Sequence, residues 1–419
     1  MRTGPTGLGA CPMSQLPLKG IKVLDLTSVI VGPVATRWLA DYGADVIKVE
    51  PEGGDLIRTL GGVSSSGRFS PKYLNFNRNK RSLGIDLKHP EAQALMRDLI
   101  AQSDIVITNM RHNALVKLGL DYASVSAIRP DVIHCSIVGF DQRGPYAGKP
   151  AYDTIVQGAS GFADTFARME GTPRYVPLTI TDHIVGFIAV QMVLLALLHR
   201  RMTGEGQSIE VPMFENMADF ILSEHMGQKV FTGSDGPTGD LRILNPLTQP
   251  IRTSDGYICV SANTDKQAFA LFDAIDRPDM KTDPRFSSVS ARLKNIDLYL
   301  STRDAALARQ TSAHWLEIFD RTDVPAMPCH TFESLMADDQ LSAVEFFDTL
   351  DHPVEGRLTD MRLPNRTSKN WEKPSVPAPD IGQDTDQVLR DLGYPDNRIA
   401  ALRQAGAVFG RNAEDSHNG

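Results

Sequence analysis

Between residues 20 and 140 the apolar positions gather into short unbroken runs, each followed by a stretch whose apolar residues recur at helical spacing. The runs GIKVLDL (20–26), ADVIKVE (44–50), DIVITNM (104–110) and DVIHCSIVGF (131–140) read as strands buried on both faces. Between them GPVATRWLADYG (32–43), PEAQALMRDLIAQS (90–103) and DYASVSAIRP (121–130) read as helices. The first starts at Gly–Pro and stops at glycine, and the second carries proline in its first turn. The stretch between Glu50 and Pro90 is polar and glycine-rich and contributes no predicted element. Strand–helix alternation of this kind predicts an α/β chain: a large Rossmann-like domain with a parallel sheet covered on both faces.

The longest apolar run, IVGFIAVQMVLLALL (184–198), holds fifteen residues and includes Gly186 and Gln191. A membrane span needs about 20 apolar residues, so the run is expected to be a buried core helix. It is predicted to end at RRMTGEGQ (200–207), with Gly204 as its C-terminal cap and a strand, SIEVPMF (208–214), after it. From about residue 226 glycine and proline punctuate the chain, SDGYICVSA (254–262) reads as a strand, and a charged helical stretch follows at 291–320. These changes predict a smaller α+β domain at 226–325, with the large domain at 18–225 resuming at 326–419. The part beyond residue 332 is proline-rich and irregular in pattern until an amphipathic segment at 385–407.

Composition narrows the chemistry. A 42% hydrophobic, 22% charged chain is ordinary for a soluble enzyme, and a net charge of −8 leaves no basic excess for a nucleic-acid partner. Small anions remain open, since a local basic pocket suffices. Cys11, Cys135, Cys259 and Cys329 form no CxxC pair, and the ten histidines form no HExxH, so no metal site is expected. Residues 1–17 have no apolar signal core and read as a loose tail, which makes the cytoplasm the expected compartment. The first strand leads into TSVIVGP rather than GxGxxG, and neither GxxxxGK[ST] nor GxSxG occurs. Nicotinamide, phosphate-loop and α/β-hydrolase chemistries are therefore disfavoured.

One carboxylate stands out. In VPLTITDHIVGF (176–187) Asp182 lies at the mouth of the long apolar helix. Either it caps that helix, or the helix holds it out into a cleft, and the two roles are compatible. His183 beside it points about 100° away around the helix, so it reads as a partly buried histidine at the helix start.

LPLKGIKVLDLTSVIVGPVATRWLADYGADVIKVEPEGGD, YLNFNRNKRSLGIDLKHPEA, DIVITNMRHNALVKLGLDY, GFDQRGPYAGKPAYDTIVQGASG, ITDHIVGF and RRMTGEGQSIEVPMFE follow one another in order. With SAHWLEIF and VPAMPCHTFESLMADD they make the chain resemble the class III CoA-transferases, the family of formyl-CoA transferase and the carnitine CoA-transferases, over roughly residues 17–405. The resemblance implies movement of CoA from an acyl-CoA donor to a carboxylic acid acceptor, with Asp182 as the catalytic nucleophile. The family route runs through an aspartyl–acyl anhydride and an aspartyl–CoA thioester. An aspartate of ordinary pKa, about 3.9, is ionised at neutral pH and needs no separate base. The helix N-terminus is expected to offer free N–H groups to the developing oxyanion.

By motif, the resemblance assigns coenzyme A contacts to Ile30 and Val31, to Ile85 through Lys88, to Asn109, Met110 and Arg111, to Lys117, and to Tyr152 and Asp153. Lys80, Arg81, Lys88, Arg111 and Lys117 are the cations expected near the CoA phosphates. The chain departs from the family in having Pro51 where a cation often follows the second strand, and NPLTQPIR where relatives have a glycine-rich acyl loop. α-Methylacyl-CoA racemases of the same superfamily carry a His–Asp pair where this chain has Tyr152–Asp153. A racemase-like isomerase and a non-catalytic acyl-CoA-binding protein are the alternative readings. The resemblance further implies an interlocked homodimer, which the long irregular segment 351–384 suits as a strap.

Overall fold

The computed structural model describes residues 16–240 and 242–410, so the expected tail over 1–17 lies outside the described residues apart from its last two positions. Two compact units result: residues up to 160 with 176–218 and 342 onward, and residues 161–175 with 219–341.

The first unit is built on a seven-stranded sheet. Six of its strands are parallel: β1 (Lys22–Leu26), β2 (Asp45–Glu50), β3 (Arg81–Ile85), β4 (Ile105–Thr108), β5 (Ile133–Val138) and β6 (Gln207–Pro212). Their spatial order is 3-2-1-4-5-6, and Val408–Phe409 pairs antiparallel outside β3. Among the described residues up to 225 there are nine α-helices: α1 (Val31–Asp41), α2 (Pro71–Asn77), α3 (Pro90–Gln102), α4 (His112–Leu118), α5 (Tyr122–Ile128), α6 (Asp153–Ala159), α7 (Phe162–Glu170), α8 (Ile180–Thr203) and α9 (Met213–His225). Of these α7 belongs to the second unit. The core on one face of the sheet gathers Leu24, Leu83, Ile85, Leu99 and Val106 with Leu389 and Leu402 from the end of the chain.

Strand β3 and a hairpin late in the chain were not predicted. β3 sits in the stretch that pattern alone left blank, because RSLGI is interrupted by glycine. Its strand form comes from pairing on both edges, and Gly84 is required there, since a Cβ would fall 2.4 Å from the carbonyl oxygen of Phe409. A hairpin, Phe347–His352 with Gly356–Met361, occupies the start of the segment expected to be irregular. The long helix runs for 24 residues, through His199, Arg200 and Arg201, to the Gly204 cap expected for it, at φ 81°. At that length and composition it would reach across a bilayer, but Val185, Gly186, Ala189, Val190 and Val193 are buried, and it packs on α1, β5 and β6. Arg200 anchors its far end by donating to Asp104 Oδ1 at 3.1 Å. Phe187, Met192, Leu195, Leu198 and Met202 form an exposed apolar stripe along its other side.

The second unit contains the 226–325 span and is α+β in character. A three-stranded antiparallel sheet, Ile251–Arg252, Tyr257–Val260 and Ala326–Pro328, packs with helices Asp265–Ala274, Ile296–Leu307 and Ser312–Thr322 around Phe272, Trp315 and Phe319.

Candidate active site

In an order 3-2-1-4-5-6 the connections leave β1 and β4 in opposite directions, and the crevice between their carboxyl ends is the natural ligand site. The loops there are stitched together. Asn109, just past β4, accepts the Ser28 N–H at 3.0 Å and donates to the Ser28 carbonyl at 2.9 Å. Val29 stands at φ 70°, a costly conformation for a β-branched residue. Its N–H is held by Asp55 at 3.0 Å, and Asp55 is itself fixed by fully buried Lys48 at 2.8 Å. The loop that opens α1 is therefore pinned from both sides.

A cavity occupies this crevice. Its wall includes Ile30 and Val31 from the start of α1, Asn109, Met110 and Arg111 from beyond β4, Lys149 and Tyr152 from the loop before α6, and Asp182. An adjoining basic hollow is lined by Arg111, His112 and Lys117. Seven of the sequence-predicted residues thus lie in or beside the Asp182 cavity together with their expected nucleophile.

Asp182 is the third residue of α8 and is not its cap. That work falls to Asp153, from α6. One oxygen of Asp153 accepts the Thr181 N–H at 2.8 Å, the Thr181 hydroxyl at 2.6 Å and the Asp182 N–H at 3.2 Å. The other takes the Gln157 amide at 2.5 Å. Asp182 is left with a buried carboxyl that accepts no hydrogen bond from any described residue. Burial, with Asp153 nearby, pushes its pKa up to about 7, against a downward pull from Lys72. The expectation of an ordinary, fully ionised aspartate is corrected accordingly.

The α8 N-terminus does not supply free donors either. Thr181 and Asp182 give their N–H groups to Asp153, Ile180 to the Leu178 carbonyl and His183 to that of Thr179. α1, by contrast, starts on the cavity wall with no side-chain cap, so its first-turn N–H groups are not taken by any side chain. Gly186, one turn after Asp182, lets α8 lie against α1, since a Cβ there would meet the Val31 carbonyl at 2.9 Å. His183 binds the Thr179 carbonyl through Nδ1 at 2.7 Å, and its ring stands edge-on to Phe76.

Other predicted residues lie elsewhere. Ile85 is a core side chain of β3, and Lys88 sits in the exposed turn beyond it; neither lines the cavity. Two of the expected phosphate cations are already paired inside the fold. Lys80 is buried against Asp25 at 3.2 Å, and burial brings its pKa down to about 8. Arg81 bridges Asp45 at 2.6 Å and Asp391 at 2.7 Å. The reading missed Lys149, although it falls within GPYAGKPAYD, three residues before Tyr152. It also missed the capping role of Asp153.

The model of CoA-transferase family III matches residues 18–385. The chain belongs to CoA-transferase family III. The transferase is 33% identical over 403 residues to the succinate–glutarate CoA-transferase of Agrobacterium fabrum, covering 91% of this chain and 97% of the relative. It is 30% identical over 410 residues to the human succinyl-CoA:glutarate CoA-transferase, covering 96% and 92%. Among solved structures it is similar to a CAIB/BAIF family protein from Brucella suis, with a TM-score of 0.78 and 30% identity over 90% of this chain and all of that one.

Proposed function

We propose that the transferase moves CoA from an acyl-CoA to a free carboxylic acid, with Asp182 as the covalent carrier. The observation that supports this most is the bare carboxylate of Asp182 at the cavity, its helix capped by another residue. In its ionised form it attacks the thioester carbonyl, giving an aspartyl–acyl anhydride and CoA thiolate. The thiolate attacks the aspartyl carbonyl, releasing the donor acid and leaving an aspartyl–CoA thioester. The acceptor carboxylate attacks that thioester, giving a new anhydride and CoA thiolate. The thiolate then takes the acceptor acyl group and frees Asp182. Each step exchanges one acyl bond for another of comparable energy, so the cycle needs neither nucleotide nor redox partner.

Desolvation leaves the Asp182 anion poorly stabilised and correspondingly reactive. The uncapped first turn of α1 is the donor set we assign to the thioester oxyanion, and Arg111, His112, Lys117 and Lys149 the set for the CoA phosphates. A racemase would need two opposed acid/base groups. Asp153, the second carboxylate here, spends both oxygens on Thr181, Asp182 and Gln157.

Succinate and glutarate, named in the two relatives above, are the first donor and acceptor acids to try. The deciding experiment incubates the protein with succinyl-CoA, traps with hydroxylamine and maps the modified peptide. A hydroxamate at Asp182, absent in Asp182→Ala along with turnover, supports the scheme; turnover by Asp182→Ala overturns it. We also propose a homodimer, for which the exposed apolar stripe on α8 is a fitting buried surface. A monomeric mass in solution would count against it.

A further inference from the structure

α2 carries a lysine for which the fold gives no use. Lys72 is exposed in the first turn, and among the described residues it makes no ion pair or hydrogen bond. Its neighbour Tyr73 and, one turn on, Asn77 are fully buried and hold the helix in place. Phe76, four residues after Lys72 and so on the same side of the helix, lies edge-on to His183 with ring centroids 5.5 Å apart. His183 follows Asp182 directly. The side of α2 that bears Lys72 is thus turned to the start of α8, and its charge is felt by the Asp182 carboxyl. Beside the lysine's stem lies Gly61, at φ 85°, where a Cβ would come within 3.4 Å of Lys72 Cε.

The cavity walls described above come from the loops after β1, β4 and β5 and the segment before α6, and they hold Lys149 and Arg111. Lys149 stands 4.0 Å over the Tyr146 ring. Arg68, close to α2 in sequence, is paired with Asp380 at 3.3 Å. Lys72 is not among the cavity's lining residues, although its charge pulls the Asp182 pKa down. An acyl group attached at Asp182 needs a charge there only if its far end is anionic. Asp153 lends the surroundings negative charge even when Asp182 is acylated, so a second substrate carboxylate without a cation would be repelled.

We propose that Lys72 pairs with the distal carboxylate of a dicarboxylic acyl group and selects dicarboxylic over monocarboxylic substrates. The proposal rests on Asp182 being the acyl carrier. The test compares the full-length protein with Lys72→Met and Lys72→Arg, using succinyl-CoA with glutarate and butyryl-CoA with pentanoate. Assays run at about pH 9, two units above the Asp182 value of about 7, so that loss of a neighbouring charge does not change its ionisation. The expected result is a fall of roughly ten- to a hundredfold in kcat/KM for the dicarboxylic pair in Lys72→Met, carried by KM. Lys72→Arg retains most of the activity, and the monocarboxylic pair changes little in either variant. Equal losses for both pairs, no loss for either, or a wild type that prefers the monocarboxylic pair would overturn the assignment. A wild type that turns over neither pair and forms no Asp182 adduct would instead remove the carrier reading, and this proposal with it.

Discussion

The backbone N–H of Asp182 donates to a carboxylate oxygen of Asp153 at 3.2 Å, so one aspartate holds the helix start and leaves the next one bare. The same proximity raises the Asp182 pKa, to which burial contributes most. Asp153→Asn keeps an oxygen acceptor but removes the charge. We expect a loss of about 1–2 kcal/mol in stability. In the proposed scheme Asp182 attacks as the anion, so kcat/KM should rise with pH through about 7 in the parent, and the midpoint should move to lower pH in the variant. An unchanged midpoint would rule out the electrostatic coupling.

Asp182 should cost the fold stability. Its folded pKa of about 7 lies above the unfolded value of about 3.9, so the native state binds the extra proton between those limits. Stability from this group therefore falls as pH rises from about 4 to 7. Asp182→Asn is expected to be more stable than the parent at pH 8 by about 1–4 kcal/mol, with the gap closing toward pH 4. Denaturant titrations at both pH values measure it, and a less stable variant at pH 8 would contradict the desolvated state.

Lys80→Met should damage the fold rather than CoA affinity. It would strip the buried Asp25 carboxylate of its ion pair and leave the Asn77 side-chain oxygen without its 2.8 Å donor. Removing one partner of such a pair costs about 3–5 kcal/mol. The expected signature is a lower melting temperature with an unchanged KM for acyl-CoA in the folded fraction, and partial recovery on adding Asp25→Asn.

Arg111→Ala should do the reverse. Arg111 lines both the Asp182 cavity and the adjoining basic hollow and carries no ion pair among the described residues. Loss of one charge-assisted phosphate contact, about 1.5 kcal/mol, should raise the acyl-CoA KM roughly tenfold while kcat and melting temperature stay near parental values. Steady-state kinetics with CoA thioesters differing only in the 3′-phosphate would show whether the loss tracks that group.

Much of this site was readable through the family resemblance, which named Ile30, Val31, Asn109, Met110, Arg111, Lys117, Tyr152 and Asp182; all of them line the Asp182 cavity or the adjoining hollow. What failed were inferences from charge alone. Lys80 and Arg81 look like surface cations in NRNKRSLGI, yet each meets an aspartate from another part of the chain.

The sequence by itself determined the strand–helix alternation, the parallel sheet that follows from it, and the aspartate at the head of the long helix. Those are consequences of hydrophobic periodicity and turn residues within a few positions of each other. Only the tertiary structure decided which carboxylate caps α8, which lysines are buried in pairs, and that the last strand of the chain closes on β3. Asp153 and Thr181 are 28 residues apart, Lys80 and Asp25 55. Such pairings depend on how helices and strands stack, and stacking leaves no local periodic mark. The aspartate at the helix head was visible in the sequence; the burial that raises its pKa belongs to the fold.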